Sequence, residues 1–218
     1  MKLKTVFIAL LTIALCLFTG CKNKPIVGIS QLRTNIFYAQ SDGFEVTVYS
    51  EERETPLLAD GYSAQKTPVL IIKIMSSSEI SGTLTVCANV DGKEYTASPT
   101  ERANKILRVE IPVETLPSSE ISITLKGEKE ICLTAKSIIP DGTASYEKAV
   151  ELTINALGDK ITYNGNKPIG EFMVRILVEN QKAFWYVGYV TEKNTYSFLI
   201  NAEGNKIIAT REAENIKF

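Results

Sequence analysis

The stretch PDGTASYEKAVELTINALGDK, residues 140–160, is where the chain changes its period, and that change decides how the fold is read. Tyr146, Ala149, Val150, Thr153, Ala156 and Leu157 recur at i, i+3, i+4 and i+7, with Glu147, Lys148, Glu151 and Asn155 falling opposite. Thr143 or Ser145 can cap the start, Glu147 suits the positive N-terminal end, and Gly158 suits a left-handed stop. The pattern predicts one amphipathic helix of about four turns.

On either side of the helix the period is two. Upstream, from Leu32 to about Pro140, residues 44–49 alternate apolar with polar, and similar runs follow at 69–74, 83–90, 105–111, 121–126 and 131–138. Asp60-Gly61, Asp91-Gly92, Pro117-Ser118-Ser119 and Lys126-Gly127 separate them, and VDGKEY at 90–95 reads as a hairpin. Downstream, alternation returns at 172–178, 184–190, 195–200 and 206–210. The expectation is a mainly β chain with a smaller α+β part. Residues 32–140 form an antiparallel β-sandwich, most simply immunoglobulin-like (Ig-like), and residues 141–218 a helix followed by a four-stranded antiparallel meander.

The N-terminus has the parts of an export signal: Lys2 and Lys4, an apolar run over 6–18, then the small residues Thr19 and Gly20. The run is shorter than the roughly 20 residues that span a bilayer. Leu17-Phe18-Thr19-Gly20-Cys21 resembles the lipobox of bacterial lipoproteins. That resemblance implies that residues 1–20 are a signal peptide removed with Cys16, and that Cys21 becomes a lipid-bearing N-terminus on the extracytoplasmic face of a cell membrane. Phe18 stands where the family usually has an aliphatic residue. Two or more acyl chains anchor stably where one is marginal. Residues 21–31 then read as a tether, with Lys22 and Lys24 suited to an anionic membrane surface.

Composition removes several function classes. The net charge of -1 moves to about -3 once Lys2 and Lys4 are gone, and no basic stripe survives to attract nucleic acid. The chain has no histidine, which excludes Ser-His-Asp triads and most catalytic zinc sites, and it has no Asp-rich calcium loop or Gly-rich phosphate loop. No cofactor is expected. Ser-x-x-Lys, the motif of penicillin-binding enzymes, occurs at Ser63–Lys66 and Ser145–Lys148, as often as chance provides, and Lys-Thr-Gly is lacking. A Ser/Lys hydrolase is therefore a distant alternative to a non-catalytic protein. Glu51, Glu52 and Glu54 read as a solvated loop.

Cys87 and Cys132 both fall on the polar parity of their strands. An immunoglobulin inter-sheet bridge would have them on the core side, so the expectation is either an outer-face disulfide between neighbouring strands or two free thiols. Phe184, Trp185, Tyr186, Tyr189, Tyr196 and Phe198 put rings on both parities of two adjacent strands. One parity packs on the helix, so the other exposes either Phe184 and Tyr186 or Trp185 and Tyr189 as a binding surface for a protein, peptide or glycan. WYVGYV at 185–190 followed by YSFLINAEGNKII at 196–208 resembles the strand-turn-strand end of PepSY-like domains. The acid and the Thr-Gly pair of that family's last turn are missing, where this chain has Asn201 to Ile207. This resemblance implies an extracytoplasmic binding or inhibitory module and transfers no catalytic residue. The expected function is that of a lipid-anchored binding module, with an envelope assembly factor acting by strand addition as the alternative.

Overall fold

The structure, a computed structural model, describes residues 26–41, 43–77, 83–103 and 106–215. The expected signal peptide, Cys21 and the first part of the tether lie outside the described residues. Among the described residues the chain is mainly β, with one short α-helix on a large mixed sheet.

The first strand, β1 (Ile29–Ser41), organises everything else. It begins inside the span expected to be a tether, with Ile29, Ser30 and Gln31 buried. From Gln31 to Ser41 it pairs antiparallel with β2 (Phe44–Arg53), which in turn pairs with β3 (Thr67–Ser76). On its other side β1 has two successive neighbours. Its first half pairs parallel with β12 (Glu171–Glu179), and Phe37 and Tyr38 pair antiparallel with β9 (Glu130–Ser137). An irregularity between Arg33 and Asn35 shifts the register between these halves.

The remaining upstream strands are β4 (Thr85–Val90), β5 (Lys93–Ala97), β6 (Glu101–Ala103), β7 (Ile106–Pro112) and β8 (Glu120–Lys126). They complete two arms that both start at β1: β2-β3-β7-β6 and β9-β8-β4-β5. Val46, Val48, Ile72, Ile74 and Val109 of one arm share a core with Val86, Ala88, Ile121 and Ile123 of the other, and Phe37 of β1 sits among them. Alternation produces this directly, because every second residue of each strand points to one face. Each of these valines and isoleucines and Phe37, fully buried, contributes about 1.5–3 kcal/mol.

The helix α1 (Tyr146–Leu157) buries Ala149, Val150, Thr153 and Leu157 of the face its period predicts, with Tyr146 half-buried and Ala156 exposed. Ser145 is its N-cap but makes no side-chain cap bond to the backbone, and Gly158 ends it with a positive φ of 52° while its N–H donates to Ile154 O. After a 3-10 turn (Gly158–Lys160) and the short pair β10 (Tyr163–Asn164) and β11 (Lys167–Pro168), the chain enters the meander β12-β13-β14-β15. Here β13 is Lys182–Val190, β14 Asn194–Asn201 and β15 Ile207–Glu214. Phe172, Val174, Ile176, Trp185, Val187, Tyr189, Phe198 and Ile200 face the helix in a second core. Trp185 Nε1 donates to Ala144 O at 3.0 Å, tying the sheet to the segment that leads into the helix. Gly204, at φ 65°, passes so close to Ala144 and Lys148 that a Cβ would lie 3.1–3.2 Å from their side chains. The expected boundary at residue 140 falls between β9 and α1, but the sheet does not divide there, because β1 serves both cores.

Cys87 and Cys132 are free. Cys87 pairs with Thr124 of β8, which in turn pairs with Cys132 of β9, so the two thiols share a face with a whole strand between them. Two strand spacings separate Cα atoms by about 9–10 Å. A disulfide needs Cα atoms within about 7 Å. Cys132 is exposed, whereas Cys87, on the outer parity as expected, is buried at 3% exposure beside Thr96.

Candidate functional site

The meander has one face under α1 and one face with no helix on it among the described residues, and strand register assigns the aromatic candidates to them. Trp185 (3% exposed) and Tyr189 (0%) are on the helix side and are core residues, not surface ones. Tyr189 packs against Phe172 at 5.0 Å between ring centroids and hydrogen-bonds Ile169 O at 2.8 Å. Burial raises its hydroxyl pKa above the ordinary value. Tyr196 is half-buried at the edge of that side, stacked on Tyr189 and covered by the Lys160 ammonium 4.7 Å from its ring centre. Phe184 and Tyr186 lie on the opposite face and are half-buried. Phe184 also lines a groove of about 450 Å³ with Asp141, Thr143, Gln181, Lys182, Asn201 and Glu203, at the end of the sheet where β12 turns into β13.

On the helix-free face, beside Tyr186, lies a cluster that no local pattern announces. Register sets Arg175 of β12 against Tyr186 of β13 on one side and against Arg33 of β1 on the other. Arg33 and Gln31 in turn lie opposite Glu51 and Arg53 of β2. Glu51 is fully buried, with Gln31 Nε2 and Arg33 Nε donating to its two oxygens at 2.9 Å each. Arg53 approaches the same carboxylate at 3.8 Å and also pairs with Glu110, which Arg108 reaches at 2.7 Å. Four of the six arginines in the chain therefore meet in one patch.

The charges there are not balanced. Among the described residues Arg175 has no carboxylate partner: its Nε donates to Gln31 Oε1 at 2.6 Å and its guanidinium lies 5.6 Å from the Tyr186 ring centre. Burial lowers the Arg175 pKa below its ordinary value, the like charges of Arg33 and Arg53 act in the same direction, and Tyr186 and the Glu51 carboxylate shared with Arg33 oppose them. Among the described residues Arg53 Nε is buried without a hydrogen-bond partner. Like charges directly opposite on adjacent strands repel, and guanidinium groups present paired N–H donors that match a carboxylate. The arrangement is thus suited to hold an anionic oxygen pair, with Tyr186 and Phe184 as apolar neighbours.

Glu51 corrects the expectation of a solvated acidic loop. The loop starts only after β2 ends at Arg53, and Glu54 is itself buried, accepting a hydrogen bond from Ala64 N–H. No alternation signals this, because residues 50–54 are all polar, and the burial follows from the pairing of β2 with β1. The convergence of Arg33, Arg53 and Arg175 likewise depends on long-range pairing and has no local signal. Of the two Ser-x-x-Lys lysines, Lys66 pairs with Glu52 at 3.5 Å and Lys148 is exposed on the helix. Among the described residues no group of acidic or cysteine side chains is arranged to hold a metal ion.

Comparison of the chain with protein-family models, with curated proteins and with solved structures returns no match.

Proposed function

We propose that this chain is a lipid-anchored, extracytoplasmic and non-catalytic binding module that takes an acidic segment of a protein or peptide on its arginine-rich sheet face. Arg175 carries the reading, because it is a part-buried guanidinium beside two others with no carboxylate of its own. The lipobox resemblance supplies the location, with Cys21 as the attachment point. The immunoglobulin-like reading of residues 32–140 belongs to the same proposal and draws support from the two facing antiparallel arms. The PepSY-like reading of the last third draws support from the helix followed by a four-stranded meander.

The test is fluorescence anisotropy of a labelled Glu-rich peptide with flanking aliphatic residues, against the full chain in detergent. Arg175→Ala is expected to weaken binding about tenfold or more, since a hydrogen bond to a charged group contributes about 1.5–3 kcal/mol. An uncharged oligosaccharide should not compete. Binding that ignores Arg175→Ala and Arg33→Ala contradicts the assignment. Palmitate labelling lost in Cys21→Ala tests the anchor separately.

Strand addition is a second reading, favoured by one observation: among the described residues β15 is bonded on one side only, to β14. Its edge carries Arg211, Glu212 and Glu214, charges of the kind that guard against pairing with strangers. Partner capture abolished by Thr210→Pro and untouched by Arg175→Ala would select it over the first reading.

A further inference from the structure

Eight large apolar or aromatic side chains stand exposed among the described residues, and five of them, Val27, Leu58, Tyr62, Tyr163 and Ile169, belong to three segments that meet at one end of the sheet. Scattered single residues of this kind are ordinary, whereas a cluster signals a surface with an occupant. The meeting of the segments is well defined. Gly28 lies against Pro168 and Gly170, so the chain entering β1 packs on the loop after α1. Gly61 N–H donates to the buried Glu171 carboxylate at 2.8 Å, which brings the 54–66 loop to the start of β12. Tyr62 and Ile169 line one cavity of about 310 Å³ with Lys167 and Pro168, and Tyr163 pairs with Pro168.

This is also the end at which the chain enters the fold. Ile26, the first described residue, is five positions from Cys21, so at most about 18 Å of extended chain separates them. An acyl chain on Cys21 therefore holds this end, and not the opposite one, at the bilayer. Tyrosines favour the membrane-water interface, where a ring meets the acyl region and a hydroxyl meets the headgroups. Asp60 and Lys167 flank the patch with opposite charge, so apolar contact rather than charge would dominate. We infer that the surface formed by Tyr62, Tyr163 and Ile169 rests on the lipid bilayer and fixes how the molecule stands on it. The groove beside Phe184 lies at the other end of strands that are nine residues long, so it stands about 30 Å away from the lipid.

The inference rests on the proposed acylation of Cys21, and its test separates the two. The full lipidated chain is placed in phosphatidylcholine vesicles containing a brominated-acyl lipid, as Ile169→Trp, as Tyr62→Trp, and as Ile208→Trp on β15 for the control. The native Trp185 is buried and serves as a constant background and a check of folding. The added emission is expected to fall roughly twofold at positions 169 and 62, as for rings about 5–10 Å into the interface, and to stay unchanged at 208. Co-sedimentation with vesicles without quenching at 169 and 62 overturns the inference and leaves the anchor standing, pointing instead to a protein partner or a second copy on the patch. Equal quenching at all three positions also overturns it. Failure to co-sediment removes both.

Discussion

The two cores that share β1 are built differently. Between the arms the filling is aliphatic: among the described residues Phe37 is the one fully enclosed ring, amid valines, isoleucines and leucines from facing strands. Under α1 the filling is aromatic, with Phe172, Trp185, Tyr189 and Phe198 meeting a helix whose buried middle is small, Ala149, Val150 and Thr153, and whose end is closed by Leu157. Two facing sheets interdigitate with medium-sized branched residues, while the small middle of the helix leaves room that rings fill. The difference teaches why the aromatic run 184–189 carried no clear message. In that region rings serve both the core and the open face.

The largest expected effect breaks the first core at its junction. Phe37→Ala should cost about 3–5 kcal/mol, because the ring is fully buried in the strand common to both arms, and denaturant unfolding would measure it. Glu51→Ala should cost a similar or slightly smaller amount, about 3–5 kcal/mol, since it leaves Arg33 and Arg53 without their buried carboxylate. Adding Arg33→Ala to it should restore part of the loss in a double-mutant cycle.

A smaller effect concerns Glu171, buried at the start of β12 with one oxygen unpaired. Burial raises its pKa, the hydrogen bonds of Ser30 and Gly61 oppose that rise, and the charges of Glu54 and Asp60 add to it. A carboxyl whose folded pKa is raised favours the protonated folded state. Its contribution is therefore full below the unfolded pKa and is lost as pH rises through the folded one. Glu171→Gln is expected to raise Tm at neutral pH by a few degrees and to flatten the decline in stability as pH rises above the ordinary carboxylate range, roughly 2–4 °C per kcal/mol for a chain of this size. The smallest effect is chemical: a thiol reagent should modify Cys132 in the native protein, and Cys87 only after denaturation.

Much of the strand and helix pattern was legible because each element follows its own period. Strands over 69–74, 121–126 and 172–178 appear as β3, β8 and β12, and α1 buries the predicted side apart from Ala156, which is exposed. The loss came where pairing, not period, sets the environment. Ser30 and Gln31 are polar yet buried in β1, whose alternation is interrupted at Arg33 to Asn35, so the organising strand looked like tether at its start. Cys87 sits on the outer parity and is still buried, because neighbouring side chains such as Thr96 and Lys126 lie against it. The arginine patch draws on residues 33, 53 and 175, brought together only when β12 pairs with β1.

That pairing is also what makes the two cores one molecule. If β1 couples them, neither core unfolds alone. Trp185 is the single tryptophan and lies in the helix core, so its fluorescence reports on one core, while far-UV circular dichroism is dominated by strands of both. Guanidinium unfolding followed by the two signals is predicted to give coincident midpoints, both shifted together by Phe37→Ala, which sits in the other core. A tryptophan transition that separates from the dichroism, or that ignores Phe37→Ala, would contradict the shared strand as the element that holds the fold together.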